Sequence, residues 1–128
     1  MRRIAVIDPA QQQVVYKTVP DEDISRAAGI DQTSHAVVQH GSNANYGLFT
    51  SSTGMQSTTP EFFALNGHLY HGPAVLYAFD QEGRTIDITR RAHPRPLWIG
   101  DALSVQSAIS EGVISWPARW GPKPTAGN

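Results

Sequence analysis

Short apolar runs alternate with turn residues along this chain. "RIAVI" (3 to 7) is a β-branched run that stops at the turn pair Asp8-Pro9. In "VVYKTV" (14 to 19), Val15, Lys17 and Val19 share one face, and Val14, Tyr16 and Thr18 share the other. These runs predict two strands joined by a turn around Pro9 to Gln12. Pro20 closes the second strand, and "DEDISRAAGI" after it has helix-start chemistry. Asp21 is placed to cap, Glu22 and Asp23 suit the positive end of a helix dipole, and Gly29 is a natural stop. Ile24, Ala27 and Ala28 form the apolar stripe of a helix that needs tertiary packing to persist.

"HAVVQH" (35 to 40) and "YGLFT" (46 to 50) read as strands around the turn "GSNAN". The uncharged, hydroxyl-rich "SSTGMQSTTP" (51 to 60) predicts a surface loop. "EFFAL" (61 to 65) returns to strand character, with a tight turn at Asn66-Gly67 and "HLYHG" folding back. "PAVLYAFD" (73 to 80) and "RTIDIT" (84 to 89) flank "QEG", a hairpin signal, and "LWIGD" suits a last strand. "ALSVQSAISEGVISW" fits a helix through Ala102, Val105, Ile109 and Val113, while Leu103, Val105 and Ile109 also suit a strand face; both stay open. "PARWGPKPTAGN" predicts an extended, poorly ordered tail.

The pattern predicts an α+β fold: a mainly antiparallel sheet of about six strands with one or two short helices on a face. Residues 1–116 would form one globular domain and 117–128 a Pro/Gly-rich tail. The expected core is Ile4, Val6, Val15, Ile24, Val37, Leu48, Phe62, Leu65, Val75, Tyr77, Phe79, Ile86, Ile88 and Trp98.

Composition narrows the function. At 128 residues the chain has the size of one domain. It contains no cysteine, which removes disulfides, thiolate metal sites and cysteine nucleophiles. The net charge of -1 offers no global field for nucleic acid or anionic lipid. The opening "MRRIAVIDP" has four apolar residues before Asp8-Pro9, short of the roughly seven that a secretory signal needs. No run approaches the ~18 apolar residues of a membrane span. The expectation is a cytoplasmic chain without membrane association.

Five histidines raise the question of a metal or catalytic site. On a strand, His68 and Tyr70 point one way and Leu69 and His71 the other, so His68 and His71 cannot chelate one metal from a regular strand. His35 and His40 likewise fall on opposite faces. A site drawn from His40, His68 and His71 with Asp80 or Asp87 requires tertiary folding to gather them. That is the alternative reading: a small histidine-dependent, metal-assisted hydrolase. No nucleophile elbow, metalloprotease helix or phosphate-binding glycine motif is present. No cofactor is expected.

The sharpest electrostatic feature is "GRTIDITRRAHPRP", where Arg84, Arg90, Arg91 and Arg95, with His93, face one acid, Asp87. Such a patch suits phosphate or an acidic partner surface, unless its arginines pair with acids such as Asp21 to Asp23. No aromatic residue interleaves the arginines, so a stacking platform for single strands is missing and nucleic acid is the less favoured partner. Trp116 and Trp120 are either binding anchors of an extended strip or clamps onto the domain's own core.

The stretch "EFFALNGHLYHGPAVLYAFDQEGRTIDI", with its Phe-Phe pair, Asn-Gly turn and acidic-Gly hairpin, resembles small accessory proteins of phages, plasmids and other mobile elements. So does the strand, Asp-Pro, strand, acidic-helix unit of residues 4 to 29. The resemblance implies a mobile-element context and carries over no catalytic residue. The resulting expectation is a small binding protein that occludes or bridges a protein partner without catalysis. Its surface would be the 84 to 95 segment, the 51 to 60 loop or the tail, and a homodimer is compatible with it.

Overall fold

The computed structural model describes residues 1–29, 33–39, 45–51 and 61–116. Within them the fold is α+β and mostly antiparallel. β1 (Arg2–Asp8) and β2 (Gln13–Val19) form the first hairpin, and β3 (Thr33–Gln39) pairs with β4 (Asn45–Ser51). β5 (Phe62–Leu65) and β6 (His68–His71) form a second hairpin, and β7 (Ala74–Phe79) leads into the short β8 (Thr85–Ile86). β9 (Leu97–Gly100) precedes the helix α1 (Ala102–Ser110). The larger sheet has the order β2-β1-β7-β4-β3, with β8 also paired to β7; the smaller sheet runs β6-β5-β9.

Period-two alternation sorts the side chains into layers. Ala5, Ile7, Tyr46, Leu48, Ala74, Leu76 and Ala78 of the larger sheet pack against Phe63, Leu65 and Tyr70 of the smaller one. On the opposite face, Ile4, Val6 and Val75 meet Ile24, Ala27 and Ala28. The far face of the smaller sheet, Phe62, Ala64 and Leu69, packs on Val105, Ala108 and Ile114. β1 is therefore apolar on both faces, as a central strand must be, and Ile4 to Ile7 are all buried.

Local chemistry explains the turns. Asn66 (φ 51) and Gly67 (φ 79) both adopt the left-handed region, as the tight turn between β5 and β6 requires. Residues Asp21–Arg26 form a 3-10 helix, and its Ile24 is buried. Asp21 does not cap it: Pro20 occupies the cap position with no side-chain bond, and the Asp21 carboxylate instead accepts from Arg2 Nε at 3.2 Å. At the other end of the chain, Asp101 does cap, accepting from the Ser104 backbone N–H at 3.0 Å. Helix α1 ends in a Schellman turn: Gly112 (φ 74) donates to the Ile109 carbonyl and Val113 to that of Ala108. Those two ends decide the open segment in favour of helix for Ala102–Ser110.

Three expected core positions are exposed. Val15, Val37 and Ile86 are 38%, 60% and 40% accessible. Val15 and Val37 lie on the edge strands β2 and β3 and belong to no cluster that the 3-10 helix closes, Val15 lining an open cleft beside Arg26 to Gly29; Ile86 lies in β8, which is only two residues long. β8 is shorter than expected because Asp87 leaves the ladder to accept the Arg3 backbone N–H at 2.9 Å. Tyr77, Phe79 and Trp98 are half-buried. Among the described residues no helix is long and apolar enough to cross a membrane. The expected 51 to 60 loop, apart from Ser51 at the end of β4, and the tail 117–128 lie outside the described residues.

Candidate binding surface

The segment after β8 crosses the end of the larger sheet and is fastened there by two tyrosines. Ile88 is fully buried and donates its N–H to the Arg3 carbonyl at 3.0 Å. Tyr46, from β4, donates its hydroxyl to the Ala92 carbonyl at 2.9 Å, and burial raises its phenol pKa above the ordinary value. Tyr16, from β2, reaches His93, which is 2% exposed, with Oη 2.5 Å from Nε2. The two rings meet edge to face, with centroids 5.6 Å apart.

The bonding assigns the histidine tautomer. His93 Nδ1 lies 2.8 Å from the Pro94 carbonyl oxygen, which only accepts, so Nδ1 carries the proton. Nε2 then accepts from the Tyr16 hydroxyl, whose oxygen accepts in turn from Arg95 Nη1 at 3.1 Å. Arg95 Nη2 donates to the Arg90 carbonyl. The Arg90 guanidinium sits over the Tyr16 ring, 4.8 Å from its centroid. One phenol thus organises two arginines on a base of buried histidine.

The four arginines of the expected patch divide. Arg84 belongs to the β7–β8 hairpin, with Nε 3.0 Å from Asp80 and Nη2 3.5 Å from Glu82. The Arg84 backbone N–H, followed by its guanidinium, holds the Asp80 carboxyl below the ordinary carboxylate range. Asp87 faces Arg2 rather than the arginines after it, and Asp21 and Asp23 pair with Arg2 and Arg26. Arg90, Arg91 and Arg95 are exposed and form no ion pair with any described residue.

The histidines of the alternative site stand apart. His68 and Tyr70 face the larger sheet, while His71 lies opposite Phe62 on the α1 side, where it is 5% exposed. His35 Nε2 lies 2.9 Å from Tyr77 Oη within an aromatic stack that includes Phe49. Among the described residues no three His, Asp or Glu side chains gather as a metal site would require. His40 lies outside the described residues, as does Trp120. Trp116 is half-buried against the cluster of Phe62, Leu69 and Val105, which is the self-clamping alternative.

Tyr16 is the residue that spacing rules miss. Its sharing of a face with Val14 was readable, but the expected core took Val15, on the opposite face, as the inward residue. In the structure Val14 and Tyr16 pack on the core, and a phenol placed there calls for a hydroxyl partner. The partner comes from 77 positions further along. Tyr16 also supplies from another strand the aromatic ring that the arginine segment itself lacks. Compared with protein-family models, with curated proteins and with solved structures, the chain finds no match.

Proposed function

We propose that this chain is a small cytoplasmic binding protein of mobile-element origin, which occludes or bridges a protein partner without catalysis. The observation that carries this reading is the uneven pairing of charge. Arg2, Arg26 and Arg84 each have a carboxylate, whereas Arg90, Arg91 and Arg95 have none among the described residues. Two of those three are held in place by Tyr16, so little side-chain freedom is left to lose on binding. An acidic partner surface complements that arrangement. The mobile-element origin is supported by the likeness of residues 4 to 29 and 61 to 88 to accessory proteins of such elements.

The test is capture of partners from host lysate by the intact chain and by the double variant Arg90→Glu/Arg91→Glu, with circular dichroism checking the fold. A partner held by the wild type and released by the variant supports the reading. Full retention of every partner by a folded variant overturns it.

A further inference from the structure

Resting on that surface, we propose that its occupant is a phosphate monoester on the partner protein, seated between the guanidinium groups of Arg90 and Arg95. Two like charges meet on one tyrosine, Arg90 on the ring face and Arg95 at the hydroxyl. Everything that holds them is neutral: the ring, the phenol oxygen and the Arg90 carbonyl. A carboxylate would cancel one of the two charges. A phosphate monoester carries about -1.5 to -2 near pH 7 and would cancel nearly both.

The donor inventory agrees. Arg95 commits Nη1 to Tyr16 and Nη2 to Arg90, which leaves its remaining N–H groups directed elsewhere. The Arg90 guanidinium donates to no acceptor among the described residues. Two guanidinium groups, each able to present a pair of N–H donors, match the tetrahedral oxygens of one phosphate. Arg91, exposed beside Arg90, adds a third charge.

A single phosphate fits better than a polynucleotide. The three cations lie within one loop, and the adjoining hairpin carries Asp80 and Glu82, already paired to Arg84. A strand of nucleic acid needs a positive track along several phosphates.

The experiment is a titration of the full chain with phenyl phosphate and, separately, with benzoate, followed by backbone-amide NMR. Phenyl phosphate should bind at least about tenfold more tightly than benzoate, as two charge-assisted forks require. The shifts should centre on Tyr16 and Arg90 to Arg95. The affinity should fall toward that of benzoate when the pH is lowered past the second phosphate pKa of about 6. Arg95→Gln should weaken binding by about tenfold, consistent with loss of one charged fork, while Arg84→Gln leaves it unchanged. Equal binding of the two probes, or shifts elsewhere, would overturn the assignment; the wild-type pH series decides the matter if Arg95→Gln fails to fold. Tighter binding of an oligothymidylate with a salt slope of several phosphates would also overturn it, in favour of nucleic acid. A partner that Arg90→Glu/Arg91→Glu releases, but that phosphatase treatment leaves bound, would overturn the phosphate and leave the binding surface standing.

Discussion

Tyr16→Phe isolates the bond on which the surface is built. The substitution keeps the ring, so the edge-to-face contact with His93 and the seat of Arg90 survive and no cavity opens. What disappears is the hydroxyl between His93 Nε2 and Arg95 Nη1. Arg95 is exposed and finds water instead, so its share of the cost is small. His93 is buried, and removing a partner from a buried polar atom costs about 1–3 kcal/mol, against about 1 kcal/mol net for an ordinary bond. That is a sizeable part of a total stability of about 5–15 kcal/mol. With a urea slope of about 2 kcal/mol per molar, the unfolding midpoint should fall by about 0.5–1.5 M. The half-buried Trp98 and Trp116 provide the fluorescence signal. A double-mutant cycle with His93→Gln should return a coupling energy of about 0.5–3 kcal/mol. A Tyr16→Phe midpoint equal to that of the wild type, together with zero coupling, would refute the claim that this bond anchors the segment.

Other outcomes follow from the same geometry. Gly47 lies under the Tyr77 ring, with which an added Cβ would collide; Gly47→Ala should cost about 1–3 kcal/mol in urea unfolding, and less when Tyr77→Leu clears the space. Asp80 and Asp101 have carboxyl pKa values lowered first by backbone N–H bonds, from Arg84 and Ser104 respectively. Their contribution is complete above the unfolded aspartate pKa of about 3.9 and is lost as the pH falls through their lower folded values. Thermal midpoints should therefore drop on acidification below about pH 4, less steeply in Asp80→Asn/Asp101→Asn. Tyr46 titrates in the opposite sense, its pKa raised by burial. Its contribution is complete below the unfolded tyrosine pKa of about 10 and is lost as the pH rises through the folded value, which phenolate absorbance and melting should show together.

The fold was legible wherever the signal was local. The β1–β2 hairpin, the Asn66-Gly67 turn and the β7–β8 connection all lie where their turn residues stand. The helix α1 was not settled by its apolar pattern, which suited a strand as well: Leu103 is 72% exposed, and the segment is decided by its ends, Asp101 before it and Gly112 after it, which act as cap residues. Burial was harder to read, because apolar alternation identifies two faces without saying what covers each. Val37 and Val38 are adjacent and equally apolar, yet Val38 is 5% exposed and Val37 60%. The difference is set by a second sheet on one side and a six-residue 3-10 helix that covers only part of the other.

The arginine segment shows why a site is harder to read than a fold. A count of charges between residues 84 and 95 treats its four arginines as equivalent. In space they are sorted by where acids happen to be: Arg84 is claimed by Asp80, four positions back in its own hairpin, while Asp87 is drawn away by Arg2. Asp21 and Asp23, the acids best placed by number to neutralise the rest, are engaged by Arg2 and Arg26. What is left over is therefore a property of the whole chain's pairing. Only then does Tyr16 matter, since it takes two unneutralised guanidinium groups and gives them a common position. Exposed ion pairs are worth little in stability. Their consequence here lies in selecting which cations remain available to a ligand.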